Sequence, residues 1–167
     1  MLTLYNPRQT VLVSTRAKVP VFGKTMVKDN LMALDWHMPL AFNPLMYSIS
    51  INTKNYSKKL IDTSGVFIVN FMPFNKKDEV RYCGRYTGEY IDKFKRTKLT
   101  KTEAEKIECC AVEESIGWIE CMVREKQDWG DHVVYVADVV SWKHEKNLER
   151  LFHIKNGSFV TINMEDE

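Results

Sequence analysis

The side chains with chemistry to offer gather in three short stretches. In "LDWHMPL" (34–40), Trp36, His37 and Met38 stand side by side ahead of Pro39, and no Asp, Glu, Lys or Arg appears from Trp36 to Thr53. An imidazole can move a proton near neutral pH, which makes His37 the candidate catalytic residue. In "SISINTKNYSKK" (48–59), the hydroxyls, amides and ammonium groups of Ser50, Asn52, Thr53, Lys54 and Ser57 lead into a helix start at Asn55. Hydroxyls, a cation and the free N–H groups of a helix N-terminus suit a phosphate. In "YIDKF" (90–94), Asp92 and Lys93 stand together. Each stretch also has a plainer reading. A lone Trp is most often core, a lone His a satisfied structural residue, "KNYSKK" a solvated helix face, and an Asp–Lys neighbour pair a surface contact worth little.

Other chemistries lack their signatures. There is no G-x-G-x-x-G, Walker A or G-x-S-x-G sequence. There is no H-E-x-x-H, and His37, His132, His144 and His153 are scattered, so no metal site is expected. Chemistry then comes from a bound cofactor rather than a protein nucleophile. Cys83, Cys109, Cys110 and Cys121 form no C-x-x-C and read as reduced thiols of a cytoplasmic protein. Cys83 as a redox thiol is the minority alternative. The opening "MLTLYNPRQT" lacks the apolar core of a signal peptide. The uncharged run holds two prolines and an alternating pattern, which argues against a membrane span. A net charge of +2 without interleaved aromatic and basic residues gives no reason to expect nucleic acid.

These residues need a frame, and alternation supplies one. In "LMYSISIN" (45–52), Tyr47, Ile49 and Ile51 share one face while Ser48, Ser50 and Asn52 share the other. "TVLVST" (10–15), "VFIVNF" (66–71) and "GSFVTI" (157–162) are shorter strand candidates. "IGWIECMVRE" (116–125) and "HVVYVADVVSW" (132–142) form a pair joined at "DWGD". The latter is apolar on both faces, which predicts that both are covered. Helices are predicted from Asn55 to Gly65, from Asn75 to Gly84, and over "TKTEAEKI", where Thr100 and Glu103 have capping-box spacing. The 167 residues fit one domain, 1–167, with a disordered acidic tail at 164–167. The fold class is mainly β: a mostly antiparallel barrel with a few helices.

Four segments, "DNLMALDWHMPL" (29–40), "SISINTKNYSKKLI" (48–61), "VFIVNFM" (66–72) and "CGRYTGEYIDKF" (83–94), taken in this order and spacing, resemble the flavin-reductase-like family of FMN-binding split barrels, which includes flavoredoxin. The resemblance runs from about Pro7 to Trp142. It implies about six antiparallel strands of Greek-key type, a homodimer with FMN at its interface, and redox chemistry at the flavin. It implies a cofactor set from the first segment of Asn30, Ala33, Leu34, Asp35, Trp36, His37 and Met38. From the second it implies Ser50, Ile51, Asn52, Thr53, Lys54, Tyr56 and Ser57. Asn70, Asp92, Lys93 and Phe94 complete it. Lys93 is expected at the pyrimidine edge of the ring, where a cation raises the reduction potential. Asp92 is expected to cap a turn or orient Lys93.

The implied activity is an FMN-dependent oxidoreductase. It would take electrons from NADH or NADPH and pass them to a small-molecule flavin or a redox protein. The alternatives are an FMN electron carrier without its own NAD(P)H activity, or a non-catalytic split-barrel module. The sequence departs from the family pattern before Trp36, where Met32, Ala33 and Asp35 replace the usual hydroxyl residues. Asp35 would lower the potential if it faced the ring. The stretch "AKVPVFGKTMV" (17–27) is longer than the usual first hairpin and suggests a lid or a dimer contact.

Overall fold

The computed structural model describes residues 2–21, 23–144 and 149–162; the acidic tail lies outside them. Seven strands make the main sheet: β2 (Val11–Val21), β3 (Lys24–Leu34), β4 (His37–Phe42), β5 (Leu45–Asn52), β6 (Val66–Phe71), β9 (Gly117–Trp129) and β10 (His132–His144). Their order is β3-β2-β6-β9-β10-β5-β4, and every pairing is antiparallel. The two edge strands, β3 and β4, are joined by only Asp35 and Trp36, so the edges meet and the sheet curls into a barrel. The seam is closed by the chain rather than by a ladder, hence a split barrel. Two register shifts between β9 and β10 add curvature.

Alternation fills the interior. Val11, Val13, Met32, Leu34, Tyr47, Ile49, Ile51, Phe67, Val69, Val133 and Tyr135 form one buried cluster. Each such aliphatic or aromatic side chain contributes roughly 1.5–3 kcal/mol by leaving water. Helix α1 (Tyr56–Ser64) closes one end of the barrel. Ile61 joins the interior cluster and Leu60 packs on Ala17 and Val19. Gly65 ends the helix in the left-handed region at φ 70°, with its N–H on the Ile61 carbonyl.

A second core lies outside β2 and β3. Leu12 and Leu31 pack there against Val80 and Cys83 of α2 (Lys77–Arg85) and Phe94 of α3 (Lys93–Thr97). The doubly covered strands are therefore β2 and β6, whose consecutive residues are buried. On β10 only Val133, Tyr135 and Ala137 are buried. Val134 and Val136 face an open groove, so the second covering predicted for this strand is not supplied by the described residues.

The helix predicted over "TKTEAEKI" is instead β7 (Lys101–Glu103), paired with β8 (Cys110–Val112). The stretch offers only Ala104 and Ile107 as apolar residues, too few for a helical stripe. Its capping pair is also drawn elsewhere: the Thr100 hydroxyl donates to Glu114, and Glu103 accepts from Arg16 at 2.6 Å. The third helix is α3, capped by Asp92, which accepts from the Lys95 N–H at 3.0 Å. A small sheet of β1 (Arg8–Gln9), β11 (Phe152–Lys155) and β12 (Ser158–Val160) completes the fold. Of segment 17–27, residues 17–21 and 24–27 pair in the outer half of the β2–β3 hairpin, with Met26 and Val27 exposed.

Candidate functional site

Two clefts meet along the outer edge of β3. The larger, about 520 Å³, is walled by Leu34, Asp35 and Trp36, by Ser50 and Asn52 of β5, by Val80 and Arg81 of α2, and by the C-terminal hairpin. The smaller, about 270 Å³, is lined by Asn30, Met32, Lys54, Tyr56, Ser57, Lys93 and residues 86–88. Ala33, Asn55, Gly84 and Arg85 border both, so the two are one continuous groove.

The smaller end is cationic. Among the described residues, Lys54, Arg85 and Lys93 line it, and no Asp or Glu does. Arg85 is exposed and has no ion-pair partner among the described residues. Helix α1 begins beside it with no side-chain cap, because the Asn55 amide turns instead to the Met32 sulfur. Its first N–H groups therefore add to the positive field.

Lys93 is only 4% exposed. Its ammonium donates to the Leu31 carbonyl at 2.6 Å and the Cys83 carbonyl at 2.7 Å, which leaves one proton unassigned. Burial pulls its pKa down to about 8. Asn30 donates to Ser57 Oγ at 2.8 Å, but its buried Oδ1 has no partner. An unmet buried carbonyl costs about 1–3 kcal/mol, so this oxygen is under-satisfied until a donor reaches it. Gly88 presses on the same atom: a Cβ there would lie 1.7 Å from Asn30 Oδ1.

The larger end is aromatic. Trp36 stacks on His132 with ring centroids 4.7 Å apart. Asp35 accepts from the Thr10 hydroxyl at 2.6 Å and from His153 Nδ1 at 2.7 Å. Gly157 N–H donates to His153 Nε2 at 3.2 Å, which places the neutral ring's proton on Nδ1. The carboxylate is thus held by the cleft wall.

Three further members of the predicted set also line the groove: Ser50 and Asn52 at the larger end, Tyr56 at the smaller. Others do not reach it. Asn70 is fully buried; its amide donates to Leu12 O and Ser14 Oγ while its carbonyl accepts from Val112 N–H, so it knits β2, β6 and β8. The Ile51 side chain lies inside the barrel and that of Phe94 in the outer core. Thr53 is exposed at the end of β5, and its N–H goes to the Asp131 carbonyl. Asp92 is spent on capping α3.

Met38 and His37 face a different groove. The catalytic reading of His37 is corrected by its partners. Nε2 faces the Gln9 carbonyl at 2.8 Å, so it must carry the proton, and Nδ1 then accepts from the Tyr47 hydroxyl at 2.7 Å. Burial lowers its pKa, so both nitrogens are committed in a neutral ring. All four cysteines are free and buried; burial pushes Cys83 up to about 12, which leaves it a protonated, unreactive thiol.

A family model described as "Flavin reductase like domain" matches residues 4–162. The chain belongs to the flavin reductase-like family. An uncharacterized protein of Archaeoglobus fulgidus is 28% identical over 117 residues, covering 70% of this chain and 66% of that one. The crystal structure of an FMN-binding protein from Thermus thermophilus with bound p-hydroxybenzaldehyde superposes with a TM-score of 0.84 at 20% identity, covering 98% of this chain and 90% of that one. Flavoredoxin from Methanosarcina acetivorans does so with a TM-score of 0.79 at 23% identity, covering 96% and 88%.

In this flavin reductase-like protein, sequence reasoning missed Thr10, Arg81, Arg85, His132 and His153 as groove residues. Arg85 lies inside the "CGRYTGEYIDKF" segment, where its charge was a usable signal. His153 stands 118 residues from Asp35, and only the fold brings them together. Among the described residues, no helix is long and apolar enough to cross a membrane.

Proposed function

We propose that this protein binds FMN along the continuous groove, and that it passes electrons from a reduced nicotinamide to an acceptor. The observation that carries the reading is the join between a carboxylate-free cationic pocket and an aromatic-walled slot on one strand edge. A phosphate monoester on a planar ring needs both in that order. The buried, unpartnered Asn30 Oδ1 fits a ligand that brings an N–H or O–H. FMN, when bound, would supply the electron-accepting ring. The chain supplies the rest. Arg85, Lys54, Lys93 and the start of α1 hold the phosphate. Asn30 orients the ligand, Trp36 bounds the ring side, and Thr10 and His153 fix the Asp35 charge. Lys93, expected at the ring, is assigned here to the anionic end because it shares the small cleft with Ser57 and the α1 N-terminus.

The partner in this reading is a second copy of the chain. Tyr5, Trp36, Met38, Leu40, Val134 and Val136 line an apolar groove of about 670 Å³ on the outer sheet face. Met38 is 54% exposed and Leu40 42%, and covering such a surface would also enclose the Trp36 side of the site. Sedimentation of the purified protein tests this; a monomer at micromolar concentration removes it.

The functional test is an absorption spectrum with and without added FMN, followed by anaerobic NADH and then NADPH. Flavin bands that bleach faster than free FMN support the reductase. Bands that form and stay oxidised favour the electron carrier. Failure to bind FMN refutes the reading.

A further inference from the structure

Helix α1 closes the barrel end where β5 finishes. The opposite end, where β6 finishes and β9 begins, has no helix over it among the described residues. It opens into a pocket of about 320 Å³ whose walls include Leu45, Phe71, Ile116, Trp118, Ile119 and Trp142. None of its lining residues belongs to the FMN groove. The walls are apolar, so ordered water gains little there.

The rim is basic. Among the described residues, Lys143, His144 and Arg150 line it and no Asp or Glu does. The Lys143 ammonium lies 5.1 Å from the centre of the Trp118 ring, its charge held over the indole at the pocket wall. Arg150 has no ion-pair partner among the described residues. An apolar hole with a cationic rim fits a ligand with an apolar body and one negative end.

We propose that this open barrel mouth binds a small apolar carboxylate, such as a medium-chain fatty acid or a benzoic acid, at a site separate from the flavin. The volume sits at the lower end of small-molecule pockets, roughly 300–1,000 Å³. The shape favours a small molecule over a second copy of the chain. A subunit interface needs roughly 800 Å² of surface on each partner, whereas this feature is a single pocket of about 320 Å³ at the strand ends.

The test is calorimetry of FMN-supplemented protein with sodium octanoate and sodium benzoate, and with 1-octanol as the uncharged arm. Two variants are compared. Arg150→Gln removes a rim charge, and Leu45→Trp fills the mouth from a position 37% exposed, where folding tolerates it. The expected result is saturable binding of one carboxylate per chain. Arg150→Gln weakens octanoate about fivefold and leaves octanol unchanged. Leu45→Trp abolishes binding of both, and FMN affinity is the same in all three proteins. Non-saturating heats, or octanoate binding that survives Leu45→Trp, overturn the proposal. So does a Leu45→Trp protein that changes its mass in light scattering, because the mouth then belongs to a contact between copies.

Discussion

Raising the pH should release FMN through Lys93, and the size of the effect follows from its burial. In solution a lysine holds its proton to 10.5, whereas in the folded chain Lys93 loses it at about 8. That difference corresponds to about 3 kcal/mol against the charged form. Below pH 8 both folded and unfolded chains carry the proton, and the penalty is felt in full. Between pH 8 and 10.5 the unfolded chain alone keeps it, so the stability of the flavin-free protein rises with pH across that window and is level above it. A phosphate dianion in the small cleft supplies the missing counter-charge and raises the Lys93 pKa again. FMN should therefore bind the protonated form. Its affinity should be flat from pH 7 to 8 and fall up to about tenfold per pH unit beyond. Near pH 9, each FMN bound should take up close to one proton. Calorimetry in two buffers of different ionisation enthalpy measures that uptake directly. Lys93→Met, which removes the ammonium and keeps most of the apolar side chain, should abolish both the uptake and the slope. An uptake near zero at pH 9, or a slope that persists in Lys93→Met, would refute the placement of the anion beside this residue.

Gly88→Ala should drive a Cβ into Asn30 Oδ1 and pull the amide off Ser57, weakening FMN by about tenfold or more, read by fluorescence titration. Asn70→Ala should cost about 1–3 kcal/mol in urea unfolding, since three buried bonds lose a partner, while FMN affinity stays unchanged. His37→Gln should lower stability by a similar amount, and the pH profile of NADH turnover should keep its shape; a lost ionisation near neutral pH would restore the catalytic reading.

The parts of the fold legible in the sequence are those in which a pattern repeats. Tyr47, Ile49 and Ile51 point inward as their alternation requires, and Asn55 and Gly65 bracket a helix. The unread parts depend on facts a single segment does not carry. Val134 and Val136 look as buried as Val133 and Tyr135, because valine has one hydropathy whether it faces a core or a groove. Asn70 looks like a ligand contact because an amide in an apolar strand needs partners; here β2 and β8 provide them. The motif containing Lys93 is legible, yet the end of the ligand it serves is not, because that depends on the distance from α3 to the start of α1.

The seam explains why the site lies where it does. An edge strand leaves half its backbone groups without ladder partners. Along an antiparallel strand the N–H and C=O of one residue point the same way, and successive residues alternate. Lys93 takes the Leu31 carbonyl, so Leu31 points away from β2, and by alternation Ala33 does too. Ala33 lines both clefts, and its N–H and C=O face the groove. A ligand laid along β3 can therefore bond to backbone that no strand covers, and a residue as small as alanine lets it approach. Hydrogen exchange checks this residue by residue. The Ala33 amide should exchange quickly without FMN and be protected with it, whereas the Met32 amide, paired with β2, should be slow in both. Equal protection of Ala33 in the two states would place the flavin away from the seam.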